Sequence, residues 1–253
     1  DAVLVVGIAF CTALAVAFVL LAVDASGRAA LGLVLLFALL PAIDLAVGVF
    51  NHLVTLWLPP RVLPRLDFHK HGVPDVDRTA VVVPTLFEDA DDVRSALDNL
   101  EVQYLANREA QLVFAVLSDF TDASAAVMPG DDEIVRVAGD GIRELNSRYG
   151  AEGSGPFLLL HRAREWNAAQ GVWMGWERKR GKLAAFNRLL RGDRNGAFPV
   201  RFGDATRLDG VRYVITLDSD TVLPPDAAPA LIGAMAHPLN RPVFDDAGQH
   251  VIR

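Results

Sequence analysis

Val211-Arg212-Tyr213-Val214-Ile215-Thr216-Leu217-Asp218-Ser219-Asp220-Thr221 is the stretch on which the fold turns. Its first seven residues form a β-branched, largely apolar run that reads as a buried strand, and the run stops at two acids one residue apart. Ligands of α/β proteins gather outside the carboxyl ends of strands, so an Asp-x-Asp there sets two carboxylates at the rim of a sheet. That is the chemistry of a divalent cation and a phosphate. Taken alone, the triplet fits an ordinary strand followed by an acidic turn equally well.

Upstream the same pattern recurs. Thr79 to Val83 reads as a strand ending at Pro84-Thr85, and Asp89 or Asp91 can cap a helix carrying Val93, Ala96, Leu97, Leu100 and Tyr104 at helical spacing. Leu112 to Leu117 is a second strand, ending at Ser118-Asp119-Phe120-Thr121-Asp122. Pro129 to Arg148 reads as a helix with Ile134, Val137, Ala138, Ile142 and Leu145 on one face, followed by the glycine-rich turn Gly150 to Gly155. Phe157 to Leu160 is a third strand, Leu183 to Leu190 a helix, and Pro225 to Ala236 a helix beyond the acids. Alternating strands and helices imply an α/β fold with a mostly parallel sheet, helices on both faces, and a mouth at the strand C-termini. Asp119 and Asp122 would join Asp218 and Asp220 at that mouth.

The apolar share of 52% and mean hydropathy of +0.28 are high for a purely soluble protein, and the excess is local. Val3 to Val23 is almost unbroken apolar sequence; Ala29 to Leu58 is interrupted only by Pro41, Asp44, Asn51, His52 and Thr55. Each supplies the roughly 20 residues that a membrane-crossing helix needs, and two membrane helices are expected. A signal peptide is the competing reading of the first, but no basic leader precedes it and a second apolar span follows at once. One base lies in the link Asp24 to Arg28, whereas Arg61, Arg65 and Lys70 follow the second span, so the rest of the chain is expected to face the cytoplasm. Asp44 is costly in lipid and should face protein or the membrane boundary; the alternative is a break near Pro41, with Asp44 to Leu58 lying along the surface. The chain so divides into a membrane segment 1–58, a juxtamembrane linker 59–78 stiffened at its start by Pro59, Pro60 and Pro64, and a soluble part 79–253.

Net charge of −7 and a pI near 5.3 argue against nucleic acid, which wants a basic face. The single cysteine, Cys11, excludes an internal disulfide and a cysteine-based metal site. The numbering opens inside an apolar span without an initiator Met, so a longer parent chain with further domains is expected. His237 before Pro238 reads as a helix-end hydrogen-bonder, and His69 and His71 as loop residues, in preference to metal ligands.

Between the acidic strand ends lies Trp173-Met174-Gly175-Trp176-Glu177-Arg178-Lys179-Arg180-Gly181-Lys182, which runs into Leu183-Ala184-Ala185-Phe186-Asn187. Four bases in five positions suit a solvated surface. Placed beside carboxylates for a divalent ion, they also supply what a nucleotide diphosphate needs: a cation to bridge its oxygens, and Lys and Arg to neutralise the rest.

Gly181-Lys182-x-x-x-Phe186-Asn187 followed by Asp218-x-Asp220 resembles the nucleotide-sugar core of inverting, processive glycosyltransferases related to cellulose synthase, which have a GT-A fold. The resemblance narrows with Leu63-Pro64-Arg65-Leu66-Asp67-Phe68, Val82-Val83-Pro84-Thr85-Leu86, Leu117-Ser118-Asp119-Phe120-Thr121-Asp122-Ala123, Trp173 to Lys182, and Met235-Ala236-His237-Pro238-Leu239-Asn240-Arg241-Pro242. Together these look like the glucosyltransferase region of bacterial cyclic β-1,2-glucan synthases, from about Pro59 onward, and the apolar spans fit that family's inner-membrane helices. The resemblance implies transfer of glucose from UDP-glucose, with Mg²⁺ or Mn²⁺, to a growing β-1,2-glucan with inversion. By motif position Asp218 and Asp220 would hold the metal on the diphosphate, and Asp119 would accept from uracil or ribose. Lys182 and Arg180 would contact phosphate, and Pro84 and Thr85 would border the nucleotide pocket. Asp122, Trp176 and Glu177 would lie at the donor site, Trp176 either stacking on a sugar or filling the core, and Asn187 would pin the start of its helix. The general base that inversion demands, and the acceptor motif, are expected beyond Arg253, so this piece is expected to bind donor without completing transfer.

Two rival readings stand beside this one. A strand followed by Asp218-Ser219-Asp220-Thr221 also fits the nucleophile and acid of a haloacid-dehalogenase-type phosphatase, although the basic stretch is then unexplained. A non-catalytic membrane scaffold with acids lining a surface is the other.

Overall fold

The computed structural model describes residues 6–10, 12–14, 16–17, 28–58, 62–150, 155–193, 196–245 and 250–251. The chain forms two compact units, Asp1–Val62 and Leu63–Arg253.

In the first unit, helix α1 (Arg28–Trp57) runs continuously through Pro41, without the break that an internal proline invites. Its stretch Leu39–Trp57 is long and apolar enough to cross a membrane, and Leu40, Leu45, Leu56 and Trp57 are exposed on it, as is Asp44. Among the described residues this is one candidate span where two were expected. Much of Val3 to Val23, with Cys11, the link 24–27 and the residues 59–61, lies outside the described residues, as does most of the turn Gly150 to Gly155.

The second unit is built on a five-stranded sheet in the order β6-β3-β2-β1-β7. Its strands are β1 (Thr79–Phe87), β2 (Leu112–Phe120), β3 (Phe157–Arg162), β6 (Val200–Phe202) and β7 (Tyr213–Thr216); all neighbours are parallel except β6, which is antiparallel to β3. A separate hairpin, β4 (Glu165–Asn167) with β5 (Val172–Met174), comes after β3. Alternation along the strands gives the sheet two buried faces. Val81, Val83, Phe114 and Val116 pack with Val93, Leu97 and Leu100 of α2 (Ala90–Ala106), Ile134 and Ile142 of α3 (Asp131–Tyr149), and Ile232 of α5 (Ala227–Ala236). Ala80, Val82, Ala115 and Leu117 pack on the other face with Ala185 and Phe186 of α4 (Arg178–Leu190). Asp89 caps α2, its carboxylate accepting from the backbone N–H of Asp91 at 2.8 Å and of Asp92 at 3.0 Å.

Strand order decides where a ligand can enter. The chain moves outward from β1 to β2 to β3 and later returns with β7 on the opposite side of β1, so the topology reverses between β1 and β7. The strands also part there. Leu217 N donates to Val82 O at 3.0 Å, the β1–β7 register stops at Val82↔Thr216, and the next donor that β1 would offer on this side is residue 84, a proline without an N–H. On the other side β1 stays paired to β2 as far as Phe87↔Phe120. The sheet is thus split at its C-terminal edge along one seam.

The α/β character and helices on both faces agree with the expectation from the sequence. The differences are local. Helix α4 begins at Arg178, so the basic stretch is its first turn, and Asn187 sits near its end, exposed, without pinning its start. The hairpin and the edge strand β6 were not anticipated.

Candidate active site

A cleft of about 530 Å³ lies at the split, with Pro84 and Thr85 from β1, Asn99 from α2, Arg178, Lys179 and Lys182 from the first turn of α4, and Ser219 from the turn after β7 among its walls. Three bases on one helical turn line a cleft of an otherwise acidic protein, and the N-terminal end of α4 adds its own partial positive charge.

Lys182 is 2% exposed. Its Nζ donates to the carbonyl of Thr85 and lies 3.2 Å from Asp119 Oδ2. Arg162 grips the same carboxylate with both prongs, Nε to Oδ1 at 2.7 Å and Nη2 to Oδ2 at 2.8 Å, and Nη2 reaches the carbonyl of Arg178 at 3.2 Å. Burial lowers the Lys182 ammonium to about 8, with Asp119 opposing the shift and Arg162 adding to it, so it stays largely protonated at neutral pH. Asp119 is fully buried and spends its oxygens on these two cations. It lies behind Lys182 and is not among the cleft-lining residues.

The loop before α4 approaches Asp119 so closely that only glycine fits. A Cβ on Gly175 would stand 2.4 Å from Asp119 Cγ, and one on Gly181 would stand 2.1 Å from Trp176 O. Ala123 and Trp173 exchange backbone hydrogen bonds of 2.8 and 2.9 Å, fastening the hairpin to the loop after β2. That loop is held by Arg164, whose guanidinium binds both oxygens of Asp131 at 2.6 and 3.1 Å and the carbonyl of Thr121 at 2.7 Å.

Asp218 and Asp220 are exposed in the turn after β7. The Lys179 ammonium already binds Asp218 Oδ1, so this carboxylate accepts a cation in the fold as it stands. The turn itself hangs from three amides spaced four apart, two on α2 and the third, Asn107, at its C-cap. Asn99 Nδ2 donates to Ser219 O at 2.8 Å; Gln103 donates to Thr221 O and accepts from Leu223 N, each at 2.8 Å; Asn107 donates to Pro224 O at 3.2 Å and accepts from Ala228 N at 2.9 Å.

The remaining residues named from the sequence lie around these two features. Asp122 pairs with Arg178 at 2.6 Å beside the cleft. Trp176, 46% exposed, is no core residue; with Arg180 and Glu177, which form an ion pair, it lines a second cleft. His237 accepts from Leu239 N at 3.2 Å, the helix-end role its sequence suggests, and His69 and His71 are exposed. Within the basic stretch, sequence reasoning chose Arg180 and Lys182 where the cleft at the split is lined by Arg178, Lys179 and Lys182. It missed Arg162, Arg164 and the three amides. Their signals were an Arg-x-Arg at the end of a hydrophobic run and a polar stripe at four-residue spacing.

The stretches that carry the family resemblance meet in space although they are scattered along the chain. Leu66 N donates to Gly233 O at 3.0 Å and Asn240 Nδ2 to Pro64 O at 2.7 Å, so the segment after residue 62 packs on α5 and on the short helical turn Pro238–Asn240. No family model matches the chain. It is 46% identical, over 229 residues, to cyclic beta-(1,2)-glucan synthase NdvB of Rhizobium meliloti (strain 1021), a match spanning 90% of this chain and 8% of that protein. Across nine-tenths of its length, then, the chain is related to a segment of a cyclic β-(1,2)-glucan synthase.

Proposed function

We propose that this chain is the donor-binding part of a membrane-bound, GT-A-type glucosyltransferase that takes glucose from UDP-glucose, with inversion, for addition to a β-1,2-glucan. The observation that carries the reading is the split between β1 and β7, where Arg178, Lys179 and Lys182 line a cleft together with Ser219, the residue between Asp218 and Asp220, and Lys179 binds Asp218. The relation to a glucan synthase supports the reaction class.

Lys182, held by Thr85 O and backed by Asp119, keeps a positive charge where a diphosphate would lie, and Arg178 and Lys179, paired here with Asp122 and Asp218, are two further cations on the same wall. Pro84 and Thr85 border the nucleotide. Asp119 acts from behind, through Lys182 and Arg162. Mg²⁺ on a nucleotide takes one or two carboxylates and completes its shell with phosphate oxygens and water. Asp218 and Asp220 would hold Mg²⁺ or Mn²⁺ in this manner. Such an ion supplies charge neutralisation to the departing diphosphate.

Calorimetric titration of the chain in detergent with UDP-glucose, with and without Mn²⁺, tests the reading. UDP-glucose should bind more tightly with the ion, and Asp220→Ala should lose that gain. Equal affinity of variant and parent in Mn²⁺ would refute the metal assignment, and no UDP-glucose binding at all would refute the function.

A further inference from the structure

Beside the donor cleft lies a second of about 350 Å³ that the donor reading leaves unused. The hairpin contributes Asn167, Gln170 and Met174, and the corner before α4 contributes Trp176, Glu177 and Arg180. Arg178 lines both clefts, so the two are neighbours across one side chain.

The second cleft differs from the first in its chemistry. Both guanidinium groups on its lining are paired, Arg180 with Glu177 and Arg178 with Asp122, so no cation there is left without a carboxylate for a phosphate to meet. What it offers instead is a half-exposed indole with carboxamides and ion-paired side chains around it. A flat apolar ring suits the C–H face of a pyranose, and planar polar groups exchange hydrogen bonds with neighbouring hydroxyls. A neutral saccharide meets both demands.

The backbone is strained to present this surface. Glu177 and Arg178 are consecutive non-glycine residues in the left-handed region, with φ of 52° and 48°. The conformation is locked by Arg178 N to Gly175 O at 2.9 Å, Gly181 N to Glu177 O at 3.1 Å, and the Arg178–Asp122 ion pair. Strain of this kind, of order 1–3 kcal/mol per residue, persists where surroundings over-determine it and clusters at ligand sites. Asn167 organises the opposite wall: its Oδ1 accepts from Ala169 N at 3.0 Å and Gln170 N at 3.3 Å, shaping the hairpin turn.

We infer that the cleft formed by Asn167, Gln170, Trp176, Glu177 and Arg180 binds a β-glucan chain, the acceptor of the neighbouring donor site. Saccharide binding stands on this cleft alone; the acceptor role rests on the proposed transferase function. The assignment moves Trp176 and Arg180 from the donor, where the sequence motif put them, to the acceptor.

The test titrates the whole chain calorimetrically with a linear β-1,2-gluco-oligosaccharide and, separately, with UDP plus Mn²⁺. The oligosaccharide should bind the parent chain; Trp176→Ala should weaken it about tenfold or more and Trp176→Phe less. Gln170→Ala, on an exposed turn, should weaken oligosaccharide several-fold while UDP affinity stays within about twofold. Lys182→Met should do the reverse. Absence of oligosaccharide binding to the parent chain, or equal binding to Trp176→Ala, overturns the site even if UDP binds. Loss of UDP but not oligosaccharide in Trp176→Ala overturns it too. Trp176-dependent oligosaccharide binding without any UDP binding leaves the saccharide site standing and sinks the donor reading instead.

Discussion

His161 and Lys182 show how burial sets the charge of single residues near the cleft. His161 is enclosed by Phe87 and Phe120, with Nδ1 2.9 Å from Ser118 Oγ, and burial lowers it from 6.5 to about 4 against the pull of Asp119. Below pH 6.5 the unfolded chain therefore gains a proton that the folded chain refuses until about pH 4. Stability should fall as pH drops through that window, by up to about 3 kcal/mol from this residue. Urea unfolding of the parent and His161→Gln at pH 7 and pH 4.5 measures it: the variant should lack most of the acid slope, and parallel slopes would contradict the assignment. The sequence named Asp119 and Lys182 by their place at a strand end and in a basic run. It hid Arg162, because an arginine closing a hydrophobic strand reads as solvent-facing, and only the fold shows it turned inward to bind a buried carboxylate. Breaking such a pair by removing one partner costs roughly 3–5 kcal/mol, so Arg162 is structural as well as electrostatic.

At the scale of elements, α2 does two jobs with two stripes. Val93, Leu97 and Leu100 bury against the sheet, while Asn99, Gln103 and Asn107 suspend the turn that carries Asp218 and Asp220. The apolar stripe was legible as a periodicity of 3.6; the amide stripe was not, since carboxamides on a helix normally face water. Gln103→Leu keeps the volume but leaves Thr221 O and Leu223 N without partners, and should cost about 1–3 kcal/mol. It should also diminish the Mn²⁺-dependent gain in UDP-glucose affinity. Denaturation together with the UDP-glucose titration reads both effects, and an unchanged variant would mean that the turn holds itself. Strands β4, β5 and β6 escaped notice because each has three residues, too few to display a period. The first turn of α4 escaped because four charged residues and a glycine carry no apolar signal.

Over the whole molecule, composition pointed to a membrane, and among the described residues the stretch Leu39–Trp57 of α1, in the unit Asp1–Val62, is long and apolar enough to cross one. The expected outcome is that the expressed chain sediments with membranes and resists alkaline carbonate, whereas detergent releases it; release by carbonate alone would show that α1 does not span. The strand order was partly legible: alternation implied a parallel sheet, but sequence could not say that β7 returns beside β1, since that depends on contacts more than a hundred residues apart. Pro84 gives that return its lasting consequence. The missing donor is a covalent fact, so the rung that would follow Val82 in the ladder between β1 and β7 is absent whatever the backbone does. A pyrrolidine ring therefore stands where the two strands part, on the wall of the cleft, and lowers the incentive for them to close over it.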